Sequence, residues 1–365
     1  MLNIDRRTFL AMSAALCASP AWSAQSGGDG LRVRAARNHR LYGTSVDSRN
    51  LKADPRFAQA VATEAGILVA ESETKRKAME PAKGQYYFGG TDAILNFAHS
   101  NTQLMRGHTM VWHEANPAWL EAELPVSKDE RLLTDYIAKV AGRYKGQFQS
   151  WDVVNEVIEP KDGHPLGLRT NSIWYEAFGE SYIETAFHAA READPKTPLF
   201  YNETNLEGDD AWFEPRRTAT LKLIERLLAR NVPLQGFGMQ SHLKAFRSKY
   251  SEAVISKFLD EIAAFGLPIL ITEFDVADIR GPADPAQRDT AVADLTRMFL
   301  DVAFSKKAVL GCITWGLTDK YSWLSLTPAY KWSDGQLSRG LPLDGDFNRK
   351  PMWTAMASCF DKSQA

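Results

Sequence analysis

The residues of this 365-residue chain best suited to chemistry are polar side chains that end apolar runs. Trp151-Asp152-Val153-Val154-Asn155-Glu156 closes on an amide and an acid, and Ile269-Leu270-Ile271-Thr272-Glu273-Phe274-Asp275 carries two acids past its last branched aliphatic residue. A third run, Gly238-Met239-Gln240-Ser241-His242, ends in an amide and an imidazole. Core packing requires none of these endings. Two carboxyl groups that face each other suit glycoside hydrolysis, in which one acid protonates the departing oxygen and one carboxylate meets the oxocarbenium-like carbon on the opposite face. A separation of about 5 to 5.5 Å makes the second group a nucleophile, whereas about 6.5 to 9.5 Å admits a water. The sequence leaves open both that distance and which Glu plays which part. Either Glu alone would read as a rim salt bridge; the neighbouring polar residues turn the reading towards chemistry.

Such ends need a scaffold that gathers them. Strands are expected at 41–46, 67–70, 103–111, 150–154, 198–201, 234–239, 268–271 and 309–314, with amphipathic helices at 128–144, 172–192, 212–230, 251–265 and 287–304. Alternation of this kind without a linker implies a parallel sheet, and the length fits a single (β/α)8 TIM barrel. Active sites of such barrels lie at the carboxyl ends of the strands, where Glu156 and Glu273 finish strands four and seven.

Composition narrows the class. With 44% hydrophobic and 24% charged residues and a net charge of -2, the chain is neither disordered, collagenous nor coiled coil. There is no basic block to bind nucleic acid, and 3 Cys are too few for a disulfide framework. The 7 His show no metal-ligand spacing, since His113-Glu114 is followed by Ala115-Asn116-Pro117 and no second His. No glycine-rich phosphate cradle follows a strand. Neither a cofactor nor a metal is expected, and the chain is expected to be a monomer.

Residues 1–24 read as an export leader: Arg6-Arg7 precede the apolar run 11–17, and small residues surround Ala24. Paired arginines point to twin-arginine export, hence to a periplasmic or secreted protein with no membrane contact once the leader is removed. Residues 25–35 read as a flexible stub and 36–365 as the catalytic domain. Whether Cys312 and Cys359 pair is left open.

The motifs, taken together, resemble family 10 of the glycoside hydrolases, chiefly endo-β-1,4-xylanases on a (β/α)8 barrel. They are Arg106-Gly107-His108-Thr109-Met110-Val111-Trp112-His113, the three runs above, Thr314-Trp315-Gly316 and Thr318-Asp319-Lys320-Tyr321-Ser322-Trp323, in the family's order from about residue 36 onward. The resemblance implies a retaining double displacement on xylan or xylo-oligosaccharides, with Glu156 as acid/base and Glu273 as nucleophile. Asn155 can then donate to the sugar 2-hydroxyl. His242, on the same strand face as Gln240, can hold Glu273 ionised with Asp275 as its second partner. The resemblance further implies that Glu71, Lys75, His108 and Trp112 line the glycone side, with Trp315 and Trp323 as the flat apolar platform for a sugar.

The chain departs from the family pattern at Ser72, where an Asn is usual, at Arg76, where a Trp is usual, and at Glu203-Thr204, where Asp-Tyr is usual. These changes are expected to alter the substrate groove. Two alternatives remain: a cellulase-like enzyme acting on another β-linked glycan, and a sugar-binding barrel without catalysis.

Overall fold

The computed structural model describes residues 28–363, so the leader read at 1–24 lies outside the described residues. Among the described residues there are ten strands: β1 Leu41–Val46, β2 Ile67–Ala70, β3 Leu104–Arg106, β4 Val111–Trp112, β5 Trp151–Asn155, β6 Leu199–Glu203, β7 Gly236–Met239, β8 His242–Lys244, β9 Ile269–Ala277 and β10 Val309–Thr314. Parallel pairing follows the path β3-β2-β1-β10-β9-β7-β6-β5-β4, and β8 pairs with the far end of β9. The strand expected at 103–111 is thus found as two pieces, β3 and β4, at the two ends of this path. Gly107, between them, bridges to Trp151 in parallel, so the path returns on itself as a (β/α)8 barrel.

Strand alternation divides the apolar residues into two sets. In β2, Ile67 and Val69 join Phe200, Leu270 and Leu310 in a small cluster that fills the barrel, while Leu68 and Ala70 face the shell of helices. The helices complete the outer layer with one apolar face each. Arg131–Arg143, for example, buries Leu133, Tyr136, Ile137, Val140 and Ala141, positions that recur every three or four residues. Caps set their starts: Asp54, Ser251 and Asp284 each accept a backbone N–H of the first turn.

Three readings from sequence require correction. The helix expected at 172–192 is two helices, Ile173–Phe178 and Ser181–Ala193, separated at Gly179, whose φ of 59° ends the first. The strand expected at 268–271 continues to Ala277, because its later residues pair with β8. The segment read as a flexible stub, 25–35, contains the start of a helix, Leu31–Arg37. That helix is ordered by the floor of the barrel: Leu31 N–H donates to Glu64 at 2.8 Å, and Glu64 also accepts from Arg349 and from Trp353 Nε1. Among the described residues no helix is long and apolar enough to cross a membrane.

The seam between β3 and β5 depends on a missing side chain. A Cβ at Gly107 would lie 2.0 Å from the Trp151 ring, which is fully buried. Gly107→Ala is therefore expected to destabilise the fold by about 1–3 kcal/mol or more, read as a lowered unfolding midpoint in urea; an unchanged midpoint would show that the seam is looser than drawn.

Candidate active site

Above the apolar filling of the barrel lies a chain of charged and amide groups. Arg106, at the end of β3, is buried against the Phe200 ring, its guanidinium carbon 4.6 Å from the ring centre, and pairs with Asp152 of β5. Asp152 also meets His108 Nδ1 at 3.0 Å, and that nitrogen stands 3.8 Å from Glu273 Oε1. On its other oxygen Glu273 faces His242 Nε2 at 3.3 Å. His242 Nδ1 is 3.0 Å from Asp275 Oδ1, in ion contact though off-axis for a hydrogen bond. Trp323 Nε1 donates to the second oxygen of Asp275 at 2.6 Å.

Glu273 is 5% exposed. Burial alone would raise its pKa, but His108, His242 and Lys75 outweigh it and bring the carboxyl down to about 2. His242 shows the converse balance: burial opposes its charge, and Asp275 with Glu273 lifts it well above the ordinary imidazole value. The two shifts reinforce each other, holding Glu273 towards the carboxylate and His242 towards the imidazolium.

A row of amides joins this chain to the second carboxyl. Asn202 Nδ2, on β6, donates at 2.8 Å both to Glu273 Oε1 and to Asn155 Oδ1. Gln240 Nε2 donates to Glu156 Oε1 at 2.9 Å and to Asn155 Oδ1 at 3.3 Å. Thr272 fixes the orientation of Asn202 by donating to its Oδ1. Glu156 and Glu273 are therefore linked through three side-chain amides contributed by β5, β6 and the residue after β7. Asn155 Nδ2 is buried with no hydrogen-bond partner in the protein, as are Trp112 Nε1 and His113 Nδ1. Buried polar atoms are ordinarily paired, so these mark places where a ligand hydroxyl can bind.

The remaining residues singled out from sequence join the same cluster. Lys75 Nζ lies 4.8 Å from the Trp112 ring centre and 5.4 Å from that of Trp315. Trp315 meets the His108 ring edge-on at 5.3 Å, and Trp323 meets His242 at 5.1 Å. Glu71 follows β2 next to Lys75; burial pushes its carboxyl up to about 7 against the pull of that lysine. An open groove of about 700 Å³ between helices Glu252–Ala264 and Pro285–Phe304 holds none of these residues.

Sequence reasoning missed Asn202 and His113 as parts of the site, and read Glu203 only as a departure within the groove. Asn202 ends the apolar run of β6 as Glu156 ends that of β5, and this was the signal available. His113 Nδ1 stands 3.9 Å from Glu156 Oε2. Glu203 is buried, accepting from Tyr201, Thr204 and Ile158, and burial raises its carboxyl to about 7. Arg76 requires the opposite correction. It is not in the groove: it is 4% exposed, paired with Glu80 at 2.9 Å, with the Trp119, Tyr136 and Trp174 rings around its guanidinium. Cys312 and Cys359 are both free and buried. Among the described residues no group of His, Cys, Asp and Glu is arranged to hold a metal.

Comparison with known proteins places nearly all of the described chain in one family. The model of glycosyl hydrolase family 10 matches residues 30–359. The chain is 31% identical over 353 residues to endo-1,4-beta-xylanase 1 of Humicola insolens, covering 95% of this chain and 77% of that one. It is 34% identical over 288 residues to endo-1,4-beta-xylanase 2 of Claviceps purpurea, covering 78% and 80%. Among solved structures, xylanase 10B from Thermotoga petrophila in complex with xylobiose superposes with a TM-score of 0.82 at 28% identity, over 93% of this chain and 99% of that one. The chain belongs to glycosyl hydrolase family 10.

Proposed function

We propose that the protein is a retaining endo-1,4-β-xylanase with Glu156 as acid/base and Glu273 as nucleophile. The observation that carries this reading is the amide row: it holds two carboxyls in one cluster and leaves Asn155 Nδ2 unpartnered between them. The relatives named xylanases, and the xylobiose bound by one of them, supply the substrate class.

The proposed reaction is a double displacement. In the first half Glu273 attacks the anomeric carbon, the glycosidic C–O bond breaks, and Glu156 passes its proton to the departing oxygen. In the second, Glu156 takes a proton from water as that water attacks the same carbon and releases Glu273. The first step requires Glu273 to be ionised and the second releases it as a carboxylate, the form its histidine partners favour. The unpartnered Asn155 Nδ2 supports a donated bond to the 2-hydroxyl, one that strengthens as the ring flattens. Trp315 and Trp323 offer the apolar faces on which a pyranose packs, and Lys75, Glu71 and Trp112 offer polar atoms for glycone hydroxyls. With Ser72 and Thr204 in place of a longer amide and a ring, we propose weaker holding of the sugars on either side of the cleavage point. Export by the twin-arginine route rests on Arg6-Arg7 and the apolar run behind them.

Substitutions at the two acids test the assignment. Glu273→Gln should abolish turnover of xylan and of aryl xylosides alike. Glu156→Ala should lose xylan cleavage by about 10²–10⁴-fold yet keep aryl xylosides with good leaving groups, and gain rate and a glycosyl azide product when azide is added. Ordinary xylan cleavage by either variant would refute the roles.

The pH profile supplies a second check. Because His242 helps to hold Glu273 near 2, His242→Asn should move the acid limb of kcat/KM to higher pH by about 1–3 pH units. The sign follows from the loss of a cation that favours the carboxylate. An acid limb that stays in place would show that Glu273 is not the group titrating there.

A further inference from the structure

Glu156 has a φ of 54°. This left-handed conformation is uncommon for a residue with a β-carbon, and such residues persist where the surroundings hold them. The strand ends at Asn155 and the chain must turn out over the rim while the Glu156 carboxyl still points to Gln240. Two hydrogen bonds fix the peptide groups on either side of this residue. Its N–H donates to Asn202 O at 3.1 Å, and its C=O accepts from Arg169 Nε at 2.8 Å.

Arg169 reaches that carbonyl because the segment after β5 folds back on itself. Ile158 bridges to Leu168 in antiparallel fashion, Glu159 N–H donates to Gly167 O at 2.9 Å, and Arg169 N–H donates to Val157 O at 2.8 Å. Asp162 ties the return arm by accepting from the N–H groups of Thr170 and Asn171, and Arg216 holds the outgoing arm at Ile158 O and at the Glu159 carboxylate. None of these bonds involves the Arg169 side chain. The turn is thus built without the guanidinium, whose Nε is left to restrain one carbonyl.

We infer that Arg169 is a positioning residue for the acid/base step, acting through the backbone of Glu156. With Nε in place the peptide group after Glu156 cannot rotate, and the carboxyl keeps its direction towards the departing oxygen. Without it that peptide is free to relax, and the acid loses alignment while Glu273, carried within β9, is untouched. The inference rests on the assignment of Glu156 proposed above.

The test is kcat/KM for Arg169→Lys and Arg169→Met on xylan and on aryl xylobiosides, with leaving groups graded from dinitrophenol, which needs no proton, to phenol. Xylan and the phenyl substrate should fall by about 10–100-fold, the range for a misaligned catalytic group. The dinitrophenyl substrate should stay within about 3-fold of the unaltered enzyme, and both variants should unfold close to its midpoint. Lysine keeps the charge but not the Nε–H geometry, so it should not rescue; should Arg169→Met fail to fold, Arg169→Lys carries the test. An equal loss across all leaving groups, no loss at all, or full rescue by lysine would overturn the inference. Glu156→Ala measured in parallel separates the two readings. If it shows no dependence on leaving group, the assignment of Glu156 fails; if it does and the Arg169 variants do not, only the role of Arg169 fails.

Discussion

A carboxylate buried at the mouth of a barrel must be held charged by its neighbours, and most of the polar structure of this protein follows from that requirement. Removing an ion from water is expensive unless the ion is paired and hydrogen-bonded. Glu273 is paired on both oxygens, with Asn202 and His108 near one and His242 near the other. Each partner needs a partner of its own. His108 leans on Asp152, which is balanced by Arg106; His242 leans on Asp275, which is capped by Trp323. Truncating any member leaves the next one buried and uncompensated, so the network is expected to act as a unit.

The barrel makes such a network feasible because it delivers one or two side chains from each strand end to a single place. Arg106, Asn155, Asn202, Gln240, His242 and Glu273 come from five successive stations around the ring, Gln240 and His242 sharing one, and each is held by backbone pairing. The second acid is the exception. Glu156 lies one residue beyond its strand, in a left-handed conformation, and its position depends on hydrogen bonds to its flanking peptide groups. One carboxyl is thus fixed by the sheet and the other by the turn that leaves it. This division suits a reaction in which one group must stay put and the other must exchange protons.

Much of this was legible in the sequence, for physical reasons that can be named. Strands buried on both faces are continuous apolar runs, and β1, β2 and β10 fall where those runs fall. Polar residues that end such runs have no packing reason to be there, which exposed Glu156, Glu273, Gln240 and His242. The break at Gly179 was less visible, because the periodic pattern continues on both sides of it. The extension of β9 was hidden too, since its partner β8 is three residues long. Arg76 misled because burial among three aromatic rings with Glu80 cannot be read from a residue type that is usually exposed. Asn202 ends an apolar run like the others, but the run stops in sequence at Tyr201, whose hydroxyl is spent on Glu203. Arg169 was invisible because its role is a bond to a backbone carbonyl, which leaves no pattern in the side chains.

The central claim is that Glu273 forms a bond to the sugar carbon that Glu156 serves from the other side. Its most direct test is covalent trapping: incubation with a 2-deoxy-2-fluoro-xylobioside bearing an activated leaving group, then peptide mapping by mass spectrometry. The account predicts a stoichiometric fluoroglycosyl ester on the peptide containing Glu273, and on no other. A label on another residue, or full turnover to the inverted sugar with no label, would contradict it.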